Sequence, residues 1–317
     1  MLMLTLKSDI RIHRGMIMRT AIDNVNQISR PRYSGLSRGT QIIRNLTFYI
    51  PVIILALLII SAIFAPWLAP HDPTRISMTE KLKPPFFLEG GSTKYLLGTD
   101  HLGRDILSRM IYGARVSLSV SLMVIVITAG IGTLLGIISG YLGGKIEAFI
   151  MRVTDVSMAF PGLLLAMLLA VSLGPGFWTV VVALSILGWA PYARLIRGET
   201  LKVRAMDFVA QARIIGTPPF RIMIRHIFPN VINPLIVVIT LAVGMVILAE
   251  AALSYLGIGI QPPMPSWGSM VADGRSQIDR AWWISTFPGI AIGLVVLSGN
   301  FLGDWLRDKL DPRLRQL

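Results

Sequence analysis

Between Asp155 and Arg194 the chain runs for 38 residues without one Asp, Glu, Lys or Arg. A charge-free stretch of that length does not suit the surface of a water-soluble domain. It also exceeds the roughly 20 apolar residues that one helix needs to cross the hydrocarbon core of a bilayer. Gly174-Pro175-Gly176 interrupts it. Proline ends a helix and glycine punctuates one, so the window divides into two spans over 156–173 and 177–195, joined by a very short turn. Four further windows carry the same signature: Asn45–Pro70, Val116–Gly144, the run from Val231 to Glu250, and Trp282–Gly303. They place spans at 46–68, 116–144, 231–250 and 282–303. Every backbone polar group inside a bilayer must be paired within its own segment, so these spans are helices. The expected fold is an all-α integral membrane protein with six transmembrane helices.

Composition agrees and removes the alternatives. Hydrophobic residues make up 53% of the chain and charged ones 15%, against about 25% charged in soluble domains. Disorder is excluded by the same apolar content. The net charge of +13 would suit a polyanion only if it covered a soluble polar face. Here it sorts by side of the membrane instead. With the N-terminus in the cytoplasm, inside segments hold 21 Lys and Arg and outside segments nine, which orients both termini inward. Residues 1–45 read as a cytoplasmic tail rather than a signal peptide, because Lys7, Asp9, Arg11 and Arg14 interrupt any apolar core. Met16 and Met18 are alternative starts. With no cysteine, disulfides, thiol nucleophiles and cysteine-ligated metals are absent.

Signs of an enzyme are sparse. The nearest approach to a phosphate loop is Gly144-Lys145, where Ile146 stands in place of Ser or Thr and Ser139 in place of the first glycine. The chain is therefore not expected to hydrolyse ATP or to bind a cofactor directly. His13, His71, His101 and His226 are scattered, without ligand spacing. The polar run Thr99–Asp105 has the ingredients of a metal or acid–base site. The preferred reading is ion pairing of its carboxylates with Arg104 and Arg109 and capping of the helix that enters the second span.

Within the spans, Gly132, Gly136, Gly140 and Gly144 recur at four-residue spacing and predict close helix packing within or between subunits, with a ligand-facing groove as the alternative; Gly289, Gly293, Gly299 and Gly303 are read the same way. Glu250 is the one acid in an apolar stretch, where a carboxylate costs about 2.5–3.5 kcal/mol. It falls roughly 28 Å along the helix from Val231, near the external interface, with a structural or gating role. Asn300 and Trp267 are the other pathway or gate candidates. The Gly/Pro-rich segment 257–268 is an external loop. Residues 194–230 carry seven basic residues against two acidic and suggest two short amphipathic helices, 199–214 and 218–227, separated by Ile215–Pro219. Composition leaves lipid headgroups and an acidic protein groove equally open as their contact.

The spacing DFVAQARIIG…RHIFPNVINPLIV resembles the cytoplasmic coupling loop of permease subunits in binding-protein-dependent ABC importers. Gly216 matches that loop's glycine, Ala212 its second alanine, and Ile227 with Pro229 the downstream pair. Ala210 and Gln211 stand where the motif has Glu and its first Ala. Three further stretches, 97–118, 249–271 and 300–315, together with 155–166, resemble the C-type subunits of the dipeptide, oligopeptide and nickel group. The resemblance implies a six-span permease with a coupling loop at 197–229, and with Asp207, Ala210, Gln211, Ala212, Arg213 and Gly216 facing an ATPase. It implies residues 46–115 as first helix and external segment, 116–304 as a five-helix core and 305–317 as a cytoplasmic tail. The implied partners are a B-type permease subunit, two ATPase subunits that use ATP, an extracytoplasmic binding protein and membrane lipid, with no nucleic acid. The implied place is the bacterial inner membrane, and the implied substrate a peptide, with nickel or glutathione as variants. A secondary transporter working without ATP is the competing class, although its usual internal repeats are not evident.

Overall fold

The structure is a computed structural model that describes residues 38–310; most of the two terminal tails expected at 1–45 and 305–317 lies outside the described residues. Helices occupy each of the apolar windows, and an isolated bridge between Thr99 and Asp105 is the only strand-like pairing among the described residues. Four helices are long and apolar enough to cross a membrane, with a fifth crossing if one bent pair counts as a span. A further apolar helical stretch, Phe48–Ile63, is shorter.

Helix α1 spans Arg38–Ile63, and α2, Ala65–Leu68, follows it. Helix α3 covers Ile106–Leu142 and so begins ten residues before the expected start at 116. Asp105 explains the early start: its carboxylate accepts from the Ser108 backbone N–H at 2.9 Å and from the Ser108 hydroxyl at 2.6 Å, capping the helix. The expected span 156–173 is not one helix. Helix α4, Gly144–Ala159, and helix α5, Gly162–Leu173, meet at 84°. Pro161 is the cause, because it lacks an N–H and pushes Phe160 into extended geometry (φ −84°, ψ 141°).

Helix α6, Phe177–Arg204, continues past the expected limit at 195 and takes in residues 199–204, where the charge pattern predicts a separate amphipathic helix. Glu147 on α4 ion-pairs with Arg197 and Asp155 with Arg194, and Ile196, Thr200 and Val203 stay buried along the extension. What remains of the amphipathic helix is α7, Asp207–Ile214. The expected second one, 218–227, is instead the foot of a span. Helix α8, Pro219–Ile222, a π-turn at Met223–Ile227 and helix α9, Phe228–Tyr255, form one continuous rod. Helix α10, Trp267–Arg275, starts inside the segment expected as loop, with Ser266 and Ser269 forming a capping box. Helix α11, Trp283–Leu310, runs seven residues beyond the expected end.

The pairing of these rods fixes their directions. A Cβ built on Gly132, Gly136 or Gly140 would lie 2.6, 2.8 or 2.9 Å from the carbonyl oxygens of Trp189, Ala193 and Arg197 respectively. Backbones this close require glycine. Both series ascend together, so α3 and α6 run parallel. The chain must therefore climb back between Leu142 and Phe177. Phe177 stands 12 residues before Trp189 and so is level with about residue 120 of α3, a return of roughly 33 Å. Contacts of α9 with α3 (Ser117 with Glu250, Ser121 with the Val243 carbonyl) and with α11 (Gly244 against Val296, Gly299 against Thr240) are antiparallel. Helix α1 stacks Phe48 on Trp305 at one end, while Ala62 shares a core with Ala114 and Trp267 at the other. Thus α1, α5 and α9 run one way and α3, α6 and α11 the other. Within this chain Gly289 and Gly293 have open space where a Cβ would stand, with nothing within 4 Å, and the tight contacts of α11 inside the chain lie lower, at Gly299 and Gly303.

Candidate functional site: a coupling surface below an apolar cleft

Helix α7 sits at the end of the bundle where α3 and α6 finish and α8 begins. Met206, in extended geometry (φ −78°, ψ 148°), breaks the path from α6, and Asp207 opens the helix with a carboxylate at its positive end. Its termination is encoded by Gly216. The Thr217 N–H donates to the Ala212 carbonyl and the Gly216 N–H to the Arg213 carbonyl, both at 3.0 Å, with Gly216 at φ +82°. This paired arrangement places a left-handed residue just past the helix end, which is the reason for glycine there.

The two faces of α7 differ. Val209 and Ala212 are buried in a cluster with Tyr141 of α3, Ile196 and Val203 of α6, Ile222 of α8 and Ile227 of the π-turn. The Arg213 guanidinium lies 5.0 Å above the Tyr141 ring, and Phe208 approaches His226 with ring centroids 6.2 Å apart. Asp207, Ala210 and Gln211 are exposed. So are Ile214 (85%), Ile215 (82%) and Phe220 (71%), an unusual concentration of bare apolar surface beside Arg213, Arg221 and Arg225. Of the six residues predicted for this face, Ala212 alone points into the bundle. The substituted motif positions, Ala210 and Gln211, lie on the outward face. Tyr141 and Val209 were not anticipated, and nothing in their local spacing singles them out.

Above α7 a cleft of about 490 Å³ opens between α3, α5, α6 and α9. Thr128, Leu163, Pro191, Tyr192, Val238 and Met245 are among its lining residues, and the surface is predominantly apolar. At the far end of the bundle, Glu250 and Trp267 meet: the Ser117 hydroxyl donates to Glu250 at 3.1 Å and accepts from the Trp267 N–H at 3.4 Å. Asn300 is not part of this group; it is exposed on α11 next to Gly299, which faces Thr240, about 15 Å along α9 from Glu250.

The Thr99–Asp105 run forms a buried ion-pair ring. Asp100 accepts from Arg104 (2.6 Å) and Arg109, and both guanidiniums also reach Asp273 of α10 at 3.1 Å. Burial raises the Asp100 carboxyl, but the Arg109 and Arg104 charges outweigh it and hold the group below the usual carboxylate range. Asp100, His101 and Asp273 lie close enough together to share an ion; both carboxylates are already occupied by guanidinium donors. Asp273 was missed because its partners are more than 160 residues away.

A polytopic bundle with a short surface helix clamped below a cleft fits a membrane permease. Residues 132–316 match the binding-protein-dependent transport system inner membrane component family, and residues 41–85 match the N-terminal transmembrane domain of oligopeptide transport permease C. The chain belongs to the binding-protein-dependent transport system inner membrane component family and is a multi-pass inner-membrane protein. It is 44% identical over 264 residues to the di/tripeptide transport system permease protein DppC of Pseudomonas aeruginosa (strain UCBPP-PA14), covering 83% of this chain and 87% of that one. It is 44% identical over 273 residues to the dipeptide transport system permease protein DppC of Escherichia coli K12, covering 86% and 91%. Against the DppC of Bacillus subtilis 168 the identity is 42% over 264 residues, covering 83% and 81%.

Proposed function

We propose that this chain is the C-type transmembrane subunit of an ABC importer that carries di- and oligopeptides into the cell, with ATP hydrolysed by partner subunits. The observation that carries the reading is α7: a rigid helix with one face locked into the feet of α3, α6 and α9 and the other bare. A push on the outer face is delivered through Val209 and Ala212 to Ile222 and Ile227, and so to the helices that line the cleft. The relatives' names point to peptides as cargo.

Six crossings follow from this reading, with α1 as the first and the bent α4–α5 pair as the third. The roughly 33 Å return between α3 and α6 matches a bilayer's hydrocarbon thickness, whereas α5 alone rises only about 18 Å. Both termini and α7 are cytoplasmic, and 68–105 and 256–282 face outward. A B-type subunit completes the pathway, two ATPase subunits take the coupling surfaces, and an external binding protein delivers the substrate. The chain acts without catalysis or a bound cofactor of its own.

The test is reconstitution in liposomes with the partner subunits and binding protein. Labelled dipeptide should accumulate only with ATP and with both ATPase subunits present. Uptake that continues on an ion gradient after ATP depletion would transfer the chain to the secondary transporters. A ligand screen on the binding protein separates peptide from nickel and glutathione.

A further inference from the structure

Glu250 lies near the end of α9, fully buried, and its partners are hydroxyls rather than cations. One carboxylate oxygen accepts from Ser254 at 2.8 Å and the other from Ser117 at 3.1 Å. Each of these serines also receives a backbone N–H. Ile260 donates to Ser254 at 3.1 Å, and Trp267 donates to Ser117 at 3.4 Å. A serine hydroxyl has one proton to give. Both give it to Glu250, so two chains, N–H to hydroxyl to carboxyl, end on the same group. Bonds aligned in this way polarise one another.

Their other ends are on the segment 256–266 and the start of α10, which packs against α9 at backbone distance: a Cβ on Gly268 would lie 2.4 Å from Ala251 Cα. Trp267 is driven between the helices, its indole donating to the Met110 carbonyl at 3.0 Å. The tip of the segment, Pro262–Met264, remains exposed. An irregular backbone is thus held across the ends of α3 and α9 by a carboxyl reached through serines.

We infer that Glu250 is a positioning residue that fixes the 256–266 segment, so that the ends of α3 and α9 and helix α10 move as one block during transport. Its consequence for transport rests on the function proposed above; the latch itself does not. Without the carboxyl, both serines lose the acceptor that orients them, and the segment is freed at Ile260 and Trp267 together. Glutamine keeps one acceptor and replaces the other by a donor, so it preserves one chain of the two.

This chain has no native cysteine, so labelling read on its own band after denaturing electrophoresis reports the introduced cysteine alone. Ile260 (1% exposed) and Ala281 (0% exposed) are changed singly to cysteine, Ala281→Cys serving as a control in a separate buried cluster. The whole solubilised complex is treated with N-ethylmaleimide, which makes the readout independent of membrane orientation. In the Glu250→Ala background, labelling of Ile260→Cys should accelerate at least tenfold and that of Ala281→Cys less than twofold, with Glu250→Gln intermediate for Ile260→Cys. In liposomes, peptide imported per ATP hydrolysed should fall at least fivefold for Glu250→Ala and be partly restored in Glu250→Gln. Continued protection of Ile260→Cys, or uptake and hydrolysis falling in proportion, would overturn the inference. A parent complex showing no ATP-dependent uptake would remove the functional reading instead and leave the labelling comparison intact.

Discussion

Three residues show how much one side chain decides. A Cβ on Gly136 would stand 2.8 Å from both the Ala193 carbonyl oxygen and Ile196 Cβ, so a larger residue must separate α3 from α6. Gly136→Leu should cost about 1–3 kcal/mol or more, in the range of overpacked cores, and lower the yield of folded complex in a detergent thermal-stability assay. Gly289→Ala, in open space, should leave the same assay unchanged. Asp100 gives a pH-dependent prediction. Its carboxyl is held below its unfolded value of roughly 3.9, so its stabilising contribution is complete above that value and is lost as pH falls through the lower folded value. Asp100→Asn should flatten the acid limb of thermal stability, and it should also destabilise at neutral pH, because Arg104 and Arg109 lose a buried partner. An unaltered acid limb in that variant would assign the dependence to another carboxylate.

At the scale of the element, α7 is the informative case. Gly216→Ala keeps the N–H but forces a Cβ into left-handed geometry, at about 1–2 kcal/mol. Gly216→Pro removes the N–H bonded to the Arg213 carbonyl and cannot adopt φ +82°. Transport relative to ATP hydrolysis should therefore fall modestly for the alanine and severely for the proline, with membrane insertion unaffected. Ala212→Glu should resemble the proline variant for another reason: it places a carboxylate among Val209, Ile222 and Ile227 and lifts the helix from its seat. Gln211→Glu, on the exposed face, should be tolerated in folding. The sequence revealed that this element existed, through its Gly-Thr-Pro-Pro punctuation and charge balance. Its limits were harder to read. Residues 199–204 have the amphipathic pattern of a separate helix, yet belong to α6 because the face carrying Ile196, Thr200 and Val203 stays buried along α3, where a Cβ on Gly140 would stand 2.8 Å from Thr200 Cβ. Residues 218–227 likewise run into α9, since the π-turn at Met223–Ile227 joins the two helices without a break.

For the whole molecule, the topology proposed above puts the two ends of α9 on opposite sides of the membrane, and this predicts where labels appear. In a right-side-out vesicle, Met264→Cys, on the exposed tip beyond α9, should react with an impermeant maleimide. Gln211→Cys should react only after the membrane is opened. Equal accessibility of both would contradict the alternating arrangement of the helices.

The amino-acid sequence alone determined that this chain is a bundle of membrane-spanning helices, because backbone pairing in a bilayer leaves no other use for such long charge-free windows. It also determined the net positive charge and the glycine ladder. Only the tertiary structure decided that Pro161 splits the expected span 156–173, with helices α4 and α5 meeting at 84°. The same is true of the ring joining Asp100, Arg104, Arg109 and Asp273, and of the two serines that converge on Glu250. The physical reason is range. Hydrophobicity and helix punctuation act within about a turn or a window of residues, whereas a buried polar group takes whichever partner the packed bundle brings to it, however distant in the chain.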